Sequence, residues 1–155
     1  LVLLSGMRPW DARYAALPNE SGFDARLAFV VTCSGVLDPV ARYEMARAAD
    51  YADIVACHEQ YFVSLAVMDE ASPPGILQRE EGVALPPALF YQGSADMRLP
   101  PDTATRMAAL YQQRGGQAQA QLFDGVGHAT SEWPMTVLHE VSAGMAALLS
   151  GLEAN

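Results

Sequence analysis

Residues 86–101 read PPALFYQGSADMRLPP, residues 103–116 read TATRMAALYQQRGG, and residues 118–129 read AQAQLFDGVGHA. The first piece opens on a short apolar run, Ala88-Leu89-Phe90-Tyr91, and closes on Gly93-Ser94-Ala95-Asp96. The second has a helical pattern. The third runs through Ala120-Gln121-Leu122-Phe123 and closes on Gly125-Val126-Gly127-His128. A strand ending in an acid, a helix, and a strand ending in a histidine form a β-α-β unit, and parallel strands end on one rim. An α/β fold follows, with Asp96 and His128 brought together at that rim from 32 positions apart.

The chemistry of such a pair is specific. A neutral imidazole can take the proton of a hydroxyl nucleophile, and a carboxylate on its other nitrogen fixes the tautomer and stabilises the imidazolium that forms. Glycines beside both residues let the backbone turn sharply off the strand ends. The same residues would serve a non-catalytic small-molecule-binding α/β domain as turn and loop residues, with the rim holding a small anion or sugar. Fold by itself does not separate the two.

The rest of the chain suits this reading. Its 155 residues make one domain or part of one, and 51% hydrophobic residues supply a buried core. With 9 Lys+Arg against 18 Asp+Glu, the net charge of −9 argues against nucleic acid or an anionic membrane as partner. No apolar run approaches the ~20 residues of a membrane span, and no signal-peptide pattern is visible. Cys33 and Cys57 form no CxxC and sit in no His/Cys cluster of zinc-ligand spacing. They read as buried or half-buried thiols and leave the compartment open, leaning cytoplasmic. No metal or organic cofactor is implied.

In chain order, Leu1–Met7 reads as the end of a helix without a start, closed by Arg8-Pro9-Trp10-Asp11, and residues 11–23 as a loop. Trp10 and Tyr14 read as packing residues. Leu27–Cys33 is a continuous apolar run of the kind buried on both faces in a parallel sheet. Ser34 follows at the strand end, ahead of Asp96 and His128 in chain order. Its flanks Thr32 and Val36 are large for a nucleophile elbow, so a structural role is expected. Residues 40–68 are helical in pattern with a possible break near His58-Glu59-Gln60, and Ser72-Pro73-Pro74-Gly75 reads as a stop. His58 has no partner pattern. Trp133 and Met135, just after His128, are candidates to contact substrate. Residues 135–149 form a terminal helix whose apolar positions Leu138, Val141, Met145, Leu148 and Leu149 fall on one face. His139 reads as a surface residue, and residues 151–155 as a frayed end. The count is three strands and about four helical segments, which leaves one sheet edge unpaired.

The segments PPALFYQGSADMRLPPDTATRMAALYQQRGG and LFDGVGHA resemble the C-terminal catalytic region of α/β-hydrolases, where one strand ends in G-x-x-D and the next in G-x-G-H. CSGVLDPVARYEMA and RPWDARYAAL resemble the carboxylesterase branch. The resemblance covers most of the chain and implies that residues 1–155 are the C-terminal portion of one catalytic domain with a doubly wound parallel sheet. It implies Asp96 and His128 as the acid and base of a Ser-Asp-His triad that hydrolyses a small ester through an acyl-enzyme. The nucleophilic serine, in a G-x-S-x-G elbow absent from this sequence, would lie on an N-terminal half, as a separate chain or a missing segment. Residues 40–80 would then be the helical excursion that walls the substrate pocket, with Phe62, Tyr61 and Met68 as candidate lining residues. An oligopeptidase-like amide hydrolase uses similar blocks, so ester against amide stays open.

Overall fold

A computed structural model describes residues 2–13 and 26–153. Its frame is a parallel sheet of three strands, β1 (Val30–Cys33), β2 (Ala88–Gly93) and β3 (Ala118–Phe123), in the spatial order β1-β2-β3. Val30 pairs with Ala88 and Cys33 with Tyr91, while Ala88 pairs with Ala118 and Gly93 with Phe123. All three strands therefore end on one rim.

The central strand explains the layering. Every residue of β2 is buried, so its alternate side chains seed two cores. Ala88 and Phe90 point into one core with Leu3, Leu4 and Met7 of α1 (Val2–Met7), Ile76 and Leu77 of α5 (Pro73–Gln78), and Met107 and Tyr111 of α6 (Thr103–Gln113). Leu89 and Tyr91 point into the other, with Phe123, Val126 and Trp133, and with Val137 and Val141 of α7 (Met135–Glu153). Helices on both faces of a parallel sheet make the doubly wound arrangement. Strand β1 starts at Val30, later than the apolar run suggests: Leu27 is exposed and β1 is only half-buried after its first residue. β3 is exposed at Gln119, Gln121 and Leu122, as an edge strand is.

The excursion between β1 and β2 is divided differently from its hydrophobic pattern. It forms α2 (Pro39–Ala48), α3 (Ala52–Phe62), α4 (Leu65–Glu70) and α5. The breaks fall at Asp50 (φ 56°) and Val63 (φ 64°), both left-handed, and His58-Glu59-Gln60 lies inside α3. Pro73-Pro74 opens a helix where a stop was expected. Ser72 caps it, accepting from the Gly75 N–H, and proline at the first helical positions forfeits no hydrogen bond. Seven α-helices are thus present among the described residues, against about four expected.

Three smaller readings are corrected. Trp10 is 72% exposed and packs on no core, whereas Tyr14 lies outside the described residues. Cys57 is exposed, and Cys33 is half-buried with burial raising its thiol pKa. The terminal helix continues to Glu153; Leu138, Val141 and Leu148 pack on the core as expected, together with Val137, whereas Met145 and Leu149 are turned outward. A Cβ on Gly144 would lie 2.1 Å from the Tyr91 hydroxyl, so the glycine sets how closely α7 docks. The window Met135–Leu152 has a mean hydropathy of 1.3 and is long and apolar enough to cross a membrane by those measures. Here part of it packs on the sheet.

Candidate active site

Two loops leave the rim side by side, one after β2 and one after β3. The backbone binds them together: the Ser94 N–H donates to the Phe123 carbonyl (2.8 Å) and the Ala95 N–H to the Val126 carbonyl (3.0 Å). The Ser94 hydroxyl donates to Asp124 at 3.0 Å and accepts from the Gly125 N–H at 2.9 Å. Gly93 makes this approach possible, because a Cβ there would lie 1.9 Å from the Val126 carbonyl oxygen. That distance is far inside van der Waals contact with backbone, so a side chain at 93 would force the loops apart.

Below the rim, buried Gln92 anchors the other end of the first loop. Its Nε2 donates to the Pro100 carbonyl at 2.9 Å, and its Oε1 accepts from the Ala104 N–H at 3.0 Å. Leu99 is buried beside it. The second loop is held by Trp133, whose indole N–H donates to the Gly127 carbonyl at 2.9 Å while its ring meets Phe123 edge-on.

Asp96 and His128 meet between these anchors. His128 Nδ1 lies 2.9 Å from Asp96 Oδ2, and Asp96 Oδ1 accepts the Arg98 backbone N–H at 2.8 Å. The Asp96 side chain is fully shielded, whereas a third of the His128 side chain is exposed. A carboxylate can only accept, so Nδ1 carries the shared proton and Nε2 of the neutral ring is left with its lone pair. This is the tautomer a general base requires, held by a carboxylate that water does not reach.

Of the remaining candidates, only Trp133 adjoins this pair among the described contacts. Trp133 is buried and holds the backbone next to His128. Met135 is 63% exposed at the start of α7. Half-buried Phe62 and exposed Tyr61 line a cavity of about 1150 Å³, which Asp96 and His128 do not line. Met68 is buried and lines a smaller cavity of about 370 Å³. Ser34 sits at the end of β1 with φ 49°, buried, its N–H on the Tyr91 carbonyl and its hydroxyl without a partner among the described residues. It makes no hydrogen bond to His128. Reading the sequence residue by residue missed Gly93, Ser94 and Gln92 as the parts that align the two loops. The turn signal Gly-Ser marked the place but not the cross-loop contact.

Among solved structures, the chain is similar to Lactobacillus rhamnosis esterase B (TM-score 0.65, 17% identity, 96% of this chain and 48% of that one). It is similar also to EstE5, solved after soaking with p-nitrophenyl butyrate (TM-score 0.61, 17% identity, 81% of this chain and 45% of that one). A third likeness is to Pyrococcus horikoshii acylaminoacyl peptidase (TM-score 0.53, 14% identity, 70% of this chain and 17% of that one). No protein-family model and no curated protein matches the sequence. The chain spans less than half the length of each of these structures. They show the fold: a parallel α/β architecture shared with part of each of these hydrolase structures.

Proposed function

We propose that this chain supplies the acid and the base of a Ser-Asp-His triad to a serine hydrolase of carboxylic esters. The observation that carries the reading is the contact between His128 Nδ1 and the shielded carboxylate of Asp96 at 2.9 Å, with the imidazole partly open to solvent. His128 Nε2 takes the proton of the attacking serine hydroxyl and returns it to the leaving alkoxide; Asp96 holds the imidazolium meanwhile. A water deprotonated by the same imidazole then releases the acyl group. The serine and the oxyanion-binding N–H groups belong to an N-terminal half, present either as a preceding segment or as a separate polypeptide.

Ester is preferred to amide because residues 8–17 and 33–46 resemble the carboxylesterase branch, and because EstE5 was soaked with an ester. The test is hydrolysis of matched p-nitrophenyl esters and p-nitroanilides by the complete enzyme. Esters should be turned over and anilides much more slowly, and Asp96→Asn should lower ester kcat by about 10⁴-fold through loss of the productive tautomer. Anilides cleaved as fast as esters would replace the esterase with a peptidase. Unchanged kcat in Asp96→Asn would remove the pair from the mechanism.

A further inference from the structure

Arg8, Arg79, Arg98, Arg106 and Arg114 each reach an Asp or Glu carboxylate. Arg42 of α2 is bonded differently. It is half-buried, and its Nε donates to a backbone group, the Arg98 carbonyl, at 2.8 Å. Burial pulls its guanidinium below the ordinary pKa range, the charge of Arg98 adds to that, and the charge of Asp96 opposes both. A cation partly removed from water is thus directed at the loop that carries the acid, on the residue two positions beyond it.

Arg98 is the joint. Its N–H donates to Asp96 Oδ1 at 2.8 Å, while Asp96 Oδ2 meets His128 Nδ1 at 2.9 Å. Arg98 therefore holds the acid through its N–H and is itself held through its carbonyl. Its side chain has an anchor too: it pairs with Asp53 of α3 and lies over the Tyr51 ring, 5.7 Å from the centroid. The two anchors differ in weight. The Arg98 and Asp53 side chains are 38% and 64% exposed, and an exposed ion pair contributes little. The bond from half-buried Arg42 is charge-assisted and meets less competition from water. The Asp96 side chain is fully shielded, so water cannot replace its partners if the turn shifts.

We propose that Arg42 is a positioning residue for the acid: from α2 it fixes the turn at residues 96–98 and so keeps Asp96 within reach of His128. The proposal rests on the triad reading above and adds to it a part supplied by the helical excursion. Arg42 makes no hydrogen bond to Asp96 or His128 among the described residues, and it acts through the Arg98 peptide. The imidazolium that forms during turnover needs the carboxylate at hydrogen-bond distance, so a shift of the turn reaches the chemistry through this one contact.

The experiment measures p-nitrophenyl butyrate hydrolysis by the complete enzyme, by Arg42→Met, Arg42→Gln and Asp96→Asn, and by Arg42→Met combined with Asp96→Asn. Methionine fills the stem and removes the donor, whereas the glutamine amide restores an N–H at the depth of Nε. Arg42→Met should lower kcat by about 10²-fold with KM within about twofold, and Arg42→Gln should recover about tenfold of that loss. In the Asp96→Asn background Arg42→Met should cost less than about twofold, because it acts through the acid; a merely structural role costs the same factor in both. Equal losses in the two backgrounds, an unchanged kcat in Arg42→Met, or Arg42→Gln as slow as Arg42→Met overturns the proposal. If the unmodified enzyme cleaves no ester, or Asp96→Asn is fully active, the triad reading falls and the crystal structure of Arg42→Met still decides the positioning. An Asp96–His128 contact lengthened beyond hydrogen-bond distance supports it, and an unchanged contact overturns it.

Discussion

The rim between β2 and β3 and the end of β1 are built from the same kind of strand end, yet they differ in how their polar groups are settled. At the first, the loop contacts close on themselves: Ser94 bridges to Asp124 and Gly125, Gln92 spans its loop, and both Asp96 oxygens are taken. At the second, Thr32 Oγ1 and Ser34 Oγ are buried without partners among the described residues, and Ser34 is held at φ 49°. The difference teaches where the site is self-sufficient. The Asp96–His128 contact is held by groups of this chain, whereas the β1 side leaves two buried hydroxyls without a partner among the described residues.

The comparison breaks most visibly at Gly93. Gly93→Ala places a methyl where the Val126 carbonyl stands, so the two loops must separate. Turnover should fall by about 10²-fold, the cost of misplacing a catalytic group by roughly 1 Å. Stability should fall by about 1–3 kcal/mol. Kinetics and urea unfolding of the complete enzyme check both. An active, stable Gly93→Ala would mean that the rim is not tightly aligned.

Thr32→Val sharpens the other side with a smaller effect. It keeps the shape and removes a hydroxyl with no partner, so stability should be unchanged or rise by up to about 1 kcal/mol. A loss of about 1 kcal/mol or more would show that the rest of the protein pairs this hydroxyl.

Much of the fold was legible in the sequence because its signals are local. Ala88–Tyr91 followed by Gly-x-x-Asp, and Gln121–Phe123 followed by Gly-x-Gly-His, announce two strands and their ends within a few residues each. The excursion was less legible. Its break at Val63 depends on a β-branched residue in the left-handed region, which no propensity anticipates. The Pro73-Pro74 helix start was readable from Ser72 as a cap, but two prolines and a glycine outweighed it. Within the site, the Asp–His pair follows from topology. The alignment by Gly93, Ser94 and Trp133 does not, since it depends on contacts between loops far apart in sequence.

The central claim is that His128, oriented by Asp96, is the base for a serine lying outside residues 1–155. The most direct measurement is fluorophosphonate labelling of the complete enzyme and of its His128→Ala variant, with each labelled peptide identified by mass. The account predicts label on a serine outside this chain, with labelling of the variant slowed by at least about 10³-fold. Label on Ser34, or equal labelling rates in the two proteins, would contradict it.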